Sequence, residues 1–282
     1  MMGLARAAWR GFWMGLMKDC RVEPGERVHL SKLDPADTSR FASEQEARSQ
    51  TADDAIAIDS LQDRLYAEGK RALLVILQGT DTSGKDGTIR GVFNATGPLG
   101  VSVTAFKRPS EDELARDFLR RSHVACPARG TIGIFNRSHY EDVLIGRVRK
   151  LAPKDAIKAR YKQINAFEKM LVENGTVILK FMLHISKSEQ RDRLQERLDN
   201  PKKHWKFNAG DLEDRELWDA YVDAYETMLK RCSTPWAPWY VIPADHKWAR
   251  NAVIARIVRG TLEDMDPAYP KPGWDPSDFK VT

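Results

Sequence analysis

The chain has 282 residues, of which 42% are hydrophobic and 30% charged, and it carries a net charge of +5. That length suits one large α/β domain or two small ones, the charge density argues against a membrane protein, and the positive balance favours an anionic partner such as nucleic acid, a nucleotide or an inorganic phosphate chain. The three cysteines, Cys20, Cys126 and Cys232, are far apart and odd in number, which points to a reducing cytoplasm, and the six histidines lack zinc-site spacing.

No stretch approaches eighteen consecutive apolar residues, so no transmembrane helix is expected. In residues 1–16, Leu4, Ala8, Phe12 and Leu16 fall on one helical face, with Arg6 and Arg10 elsewhere. A basic amphipathic helix touching membrane is one reading, weakened by Gly11 and Gly15; the preferred one is a non-essential extension with Met17 as an alternative start. Residues 17–50 are polar and proline-punctuated and read as an arm wrapping a surface, ahead of a main domain over 51–282. A helix is expected from Asp53 to Glu68, on the pattern of Ile56, Ile58, Leu61 and Leu65. Strands are expected at Arg71–Gln78, Val101–Phe106, Thr131–Asn136, Val177–His184 and Trp239–Ile242. Helices are expected between and after them, near 84–95, 110–121, 153–174, 187–199, 211–231 and 245–264. This alternation predicts an α/β fold, a five-stranded parallel sheet with helices on both faces.

The first strand runs into Gly79-Thr-Asp-Thr-Ser-Gly84-Lys85-Asp86-Gly87, a G-x-x-x-x-G-K turn. Strand, glycine-rich loop and helix in that order make a P-loop. Glycines let successive backbone N–H groups point into one concavity, the helix N-terminus adds partial positive charge, and Lys85 reaches phosphate oxygens. Asp86 stands where a Mg²⁺-binding Ser or Thr is usual, so the metal is expected to be held differently. Asp81, inside the loop, repels phosphate unless a divalent cation lies between; the alternative is that it caps loop N–H groups. Asp86 either binds metal through water or favours the first turn of its helix.

Lys107 and Arg108 carry two cations past the second strand, and Ser110 with Glu113 fits a capping box. The third strand ends in Asn136-Arg137-Ser-His-Tyr-Glu141-Asp142, at the carboxyl edge where open α/β sheets bind ligands. Asn136 is a weak metal ligand, Glu141 supplies negative charge nearby, and Arg137 suits a transferring phosphoryl group. Alternatively these residues cap the next helix and pair with Arg147 and Arg149. Ser138 and His139 are adjacent, which rarely gives catalytic-pair geometry. The run from Ser188 to Phe207 is the densest basic segment, with Arg191 and Arg197 among acidic residues and Lys202, Lys203 and Lys206 without a nearby acid in sequence. It reads as a mobile lid over about 187–210, suited to a ligand with many phosphates, or in part as a solvated salt-bridge face. Trp236, Trp239 and Trp248 read as core.

Together the loop 79–87, Phe135-Asn-Arg-Ser-His-Tyr-Glu-Asp-Val143, the lid run ending His204-Trp-Lys-Phe207, and Ser233 to Asp245 resemble the family-2 polyphosphate kinases, over roughly Asp19 to Leu262. The resemblance implies a P-loop kinase fold like that of thymidylate kinase, with a helical lid. It implies phosphoryl transfer between inorganic polyphosphate and nucleotides, with Mg²⁺ or Mn²⁺ as cofactor and adenine or guanine nucleotides as partners. Asp81, Lys85, Arg137 and Glu141 are then the expected catalytic residues. Gly79, Gly84, Gly87, Lys107, Arg108, Arg191, Arg197, Lys202, Lys203 and Lys206 are expected on phosphate, and Asp81, Asp86, Asn136 and Glu141 on metal. Asn136 with Glu141 resembles the class that accepts both AMP and ADP. A cytoplasmic homo-oligomer without nucleic-acid or membrane partners is expected; the runner-up is an ATP-dependent kinase of a nucleotide or small metabolite.

Overall fold

The structure is a computed structural model and describes residues 15–281. The amphipathic reading of the N-terminus falls largely on residues outside it. β1 (Ala72–Gln78) is buried at every position, because its side chains alternate between two apolar layers. Leu73, Val75 and Leu77 enter one layer, and Leu74 and Ile76 the other. A strand apolar on both sides is stable only in the middle of a sheet covered on both faces. Around it lie β2 (Val101–Ala105), β3 (Ile132–Asn136), β4 (Thr176–His184) and β5 (Trp239–Pro243). All pairings are parallel, in the order β2-β3-β1-β4-β5.

One face is covered by α1 (Glu44–Glu68), α2 (Lys85–Val92) and α7 (Lys247–Met265). The other carries α3 (Lys154–Glu173) and α6 (Trp218–Cys232). Two further helices, α4 (Lys187–Asp199) and α5 (Gly210–Glu216), flank a 3-10 turn at Pro201–Lys206. The expected α/β sheet and its five strands are present, each within a residue or two of its expected ends. Trp239 is fully buried, as a core residue should be.

Four expectations need correction. The arm does not extend to residue 50: α1 begins at Glu44, where Ser43 Oγ accepts from Glu46 N at 3.1 Å, and the helix crosses residue 50 unbroken. Residues 15–20 are helical and Leu16 is buried in the core, so no structural boundary falls between 16 and 17. The helix expected over 110–121 is two pieces, Glu111–Leu114 and Arg120–Val124, with Asp117 Oδ1 accepting from Leu119 N between them. The helix expected over 211–231 breaks at Leu217, between α5 and α6.

Candidate active site

The loop leaving β1 needs its glycines. Gly79 has φ +155°, and a Cβ there would lie 2.8 Å from the Leu183 carbonyl oxygen. Gly84 has φ +101°, and a Cβ there would lie 1.8 Å from Arg250 Nη1. Thr82 and Arg137 also adopt positive φ, 64° and 63°. Such backbone costs about 1–3 kcal/mol in a residue with a side chain and clusters at functional sites.

Lys85 opens α2 and folds back under the loop, Nζ donating to the carbonyls of Gly79 at 2.7 Å and Thr80 at 3.1 Å. Burial lowers its pKa to about 8, and the charge of Arg137 pushes the same way. Arg137, just past β3, donates from Nη1 to Glu141 at 3.0 Å and from Nη2 to Asp81. The Glu141 carboxylate is the main reason the Arg137 pKa stands above its ordinary value. Asn136 Nδ2 donates to Asp86 Oδ1 at 2.6 Å, and Lys206 Nζ lies 3.9 Å from the other Asp86 oxygen. Three segments far apart in the chain thus meet at the carboxyl ends of β1 and β3.

The turn carrying Glu141 rests on a buried polar network. Lys180 of β4 donates to Glu168 Oε2 at 2.6 Å, Tyr140 Oη at 2.8 Å and the Cys232 carbonyl at 2.7 Å, and Tyr140 Oη donates to Glu168 Oε1 at 2.7 Å. Burial works to raise the Glu168 pKa, but Lys180 and His139 outweigh it and hold the carboxyl below its ordinary value. Ser138 and His139 make no catalytic pair. Ser138 Oγ accepts from Gln78 at 3.0 Å, while His139 Nε2 lies 3.3 Å from Glu168, both side chains fully buried.

Two cavities open on this cluster. The larger, about 520 Å³, runs between the loop and the turn at Pro201–Lys206 and is lined by eight cationic side chains against four acidic ones. Of the expected phosphate-binding residues it contains Gly84, Gly87, Lys107, Arg197, Lys203 and Lys206. The smaller, about 20 Å³, holds Gly79 and Glu141 and is closed by Trp218, Tyr221 and Tyr225 of α6. Asp81 and Arg137 line both.

Three expected phosphate residues lie outside these cavities. Arg191 is two-thirds exposed and paired with Asp192 at 2.8 Å, and Arg108 and Lys202 are exposed elsewhere. Nor are two of the lid lysines without acids, since Lys203 bonds Glu196 of α4 and Lys206 faces Asp86. Arg193, Lys247 and Asp211 join the cleft instead. Burial first, then the Asp81 charge, raises the Asp211 carboxyl to about 6, while Arg197 bonds it at 2.9 Å. Arg193 stood one turn from Arg197 in the sequence; for Lys247 and Asp211 no local pattern pointed to the cleft.

Among the described residues no three or more His, Cys, Asp or Glu side chains gather as a ready-made metal site. The four expected ligands instead form two pairs, Asp81 with Glu141 around Arg137, and Asp86 with Asn136. Mg²⁺ typically takes one or two protein carboxylates plus phosphate oxygens and waters. These oxygen pairs fit a hard cation that arrives with phosphate, not one caged by protein alone.

A parallel sheet ending in a lysine-bearing phosphate loop, with an arginine–carboxylate cluster beside it, defines a P-loop kinase. The family model described as polyphosphate kinase 2 matches residues 41–270. The chain belongs to the polyphosphate kinase 2 family. It is 53% identical over 261 residues to the AMP/ADP-polyphosphate phosphotransferase of Meiothermus ruber, covering 91% of this chain and 96% of that protein. It is 41% identical over 270 residues to the ADP-polyphosphate phosphotransferase of Rhodopseudomonas palustris, covering 90% and 92%. The crystal structure of polyphosphate kinase 2 from Arthrobacter aurescens superposes with a TM-score of 0.89 at 40% identity, covering 93% of this chain and 94% of that one.

Proposed function

We propose that the protein transfers a phosphoryl group between inorganic polyphosphate and adenine nucleotides, accepting both AMP and ADP, by direct in-line displacement. The observation that carries this reading is the pair of unlike cavities sharing Asp81 and Arg137. The wide cationic cleft suits a chain of many phosphates. The narrow slot, walled by Trp218, Tyr221 and Tyr225, suits the nucleoside end of an acceptor once α6 gives way. A phosphoryl group passing from one cavity to the other crosses the Arg137 guanidinium, which neutralises charge on its equatorial oxygens. Lys85 leaves its loop carbonyls for phosphate oxygens. His139 is buried and engaged with Glu168, which favours direct transfer over a phospho-histidine.

Asp81, Asp86, Asn136 and Glu141 are the residues that would hold Mg²⁺ or Mn²⁺. Such an ion would supply positive charge that offsets the charge of the phosphates. AMP as well as ADP as acceptor rests on the resemblance of the Asn136 and Glu141 pattern to the class that takes both, in keeping with the name of the Meiothermus relative. An ATP-dependent kinase is the second reading; the excess of cations in the cleft disfavours it, because a nucleoside triphosphate needs fewer.

The test is nucleotide chromatography after incubating the protein with Mg²⁺, polyphosphate and either AMP or ADP. Phosphorylation of both acceptors is expected. Turnover of ADP alone would remove AMP, and turnover that needs ATP and ignores polyphosphate would favour the second reading.

A further inference from the structure

Every carbonyl of the loop from Gly79 to Ser83 is held by a side chain. Lys85 takes Gly79 and Thr80, Gln190 takes Asp81 at 3.3 Å, Arg193 takes Thr82 at 2.9 Å, and Arg250 takes Ser83 at 3.2 Å. When Lys85 moves to phosphate, Gln190, Arg193 and Arg250 still hold the carbonyls of Asp81, Thr82 and Ser83, and Ser83 N keeps the turn closed on the Thr80 carbonyl at 3.1 Å, beside the unpartnered N–H groups that open any helix, here α2. Arg250 is the unusual member. It sits in the first turn of α7, is 1% exposed, and among the described residues has no acidic partner. Its fork is spent on Ser83 and, at 3.1 and 2.9 Å, on its neighbour Asn251.

The loop is shaped around this guanidinium. A Cβ at Gly84 would lie 1.8 Å from Nη1, and one at Gly87 would lie 3.1 Å from Nη2. These glycines therefore make room for Arg250 behind the loop as well as for phosphate in front. A buried, unpaired charge costs stability that an apolar side chain of like volume does not. Arg193 adds a second positive charge close by, and burial followed by that charge pulls the Arg250 pKa down to about 9, still protonated at neutral pH. An anion in the loop is the missing counter-charge.

We infer that Arg250 is a positioning residue for phosphoryl transfer, holding the loop in its anion-accepting shape from behind and supplying uncompensated positive charge beneath the bound phosphate. This rests on the phosphate loop being the donor site of the reaction proposed above. The test combines Arg250→Met, Arg250→Lys and Asn251→Ala with two readouts: steady-state kcat and KM for polyphosphate, and the rise in Tm caused by inorganic tripolyphosphate. The second needs no turnover, so it reads Arg250 even where the wild-type protein transfers nothing from polyphosphate, an outcome that would count against the proposed reaction alone.

Arg250→Met is expected to lose at least tenfold in kcat/KM and most of the tripolyphosphate-induced rise in Tm. Arg250→Lys keeps the charge and loses the fork, so KM recovers towards wild type while kcat stays low. Asn251→Ala frees the guanidinium and raises KM. A purely structural Arg250 predicts a lower Tm for the free protein with wild-type KM, kcat and tripolyphosphate shift; that pattern overturns the inference. If Arg250→Met does not fold, wild-type kinetics and shift in Arg250→Lys together with Asn251→Ala overturn it equally.

Discussion

Lys85 concentrates the chemistry in one atom, because its ammonium has to leave two loop carbonyls and meet phosphate. Lys85→Ala is expected to lower kcat on the order of 10²-fold or more, as removal of a transition-state charge contact does. The same residue sets a pH limit. Its pKa in the free protein is about 8, below the ordinary 10.5, so the charge needed for phosphate is lost as pH rises through 8. kcat/KM for polyphosphate should therefore fall above about pH 8, and Lys85→Arg should move that limb upward. The effect on stability has the opposite sign. Between about pH 8 and 10.5 the native chain binds fewer protons at Lys85 than the unfolded chain, so its contribution to stability rises with pH. An alkaline limb unmoved in Lys85→Arg would assign the titration to another group.

At the level of elements, β4 and α3 support the catalytic turn through the Lys180–Glu168–Tyr140 contacts. Replacing one partner of a fully buried ion pair leaves the other uncompensated, which costs about 3–5 kcal/mol. Lys180→Met should accordingly lower Tm by on the order of 10 °C, with a matching loss in denaturant midpoint, and Lys180→Met with Glu168→Gln should recover part of it. A Tm unchanged in the single variant would show that the network is not held as an ion pair. Nothing in the sequence marked this network, since Glu168 lies among ordinary charged residues of a helix and Lys180 interrupts an apolar strand. What was legible is equally specific. The run from Leu73 to Leu77 has no polar residue, so its burial on both sides could be read directly. The start of α1 could not, because Glu44 to Gln50 is a solvated helical face that looks like coil in composition. The P-loop lysine and the strand-end Arg137 stood out because local motifs hold them. Arg250, Gln190 and Tyr221 reach the site by tertiary packing from more than one hundred residues on, and local patterns carry no such information.

Over the whole molecule, a modest net charge of +5 conceals an uneven distribution. Eight cations against four acids line the wide cleft, whereas the slot beside it has Arg137 with Asp81, Glu141 and Asp214. A linear polyanion releases condensed counterions when its charges are neutralised, so its binding weakens steeply with salt, in proportion to the contacts made. A nucleotide held by a slot with one cation against three acids releases few. Raising monovalent salt from about 50 to 200 mM should therefore raise KM for long-chain polyphosphate by about tenfold to a hundredfold, while KM for ADP changes several-fold less. Replacing Lys203 and Lys206 together by Ala should flatten the first dependence and leave the second as it was, because both lysines line only the wide cleft. Salt dependence of equal steepness for both substrates would mean that they share the cationic cleft, and the division of donor and acceptor between two cavities would have to be abandoned.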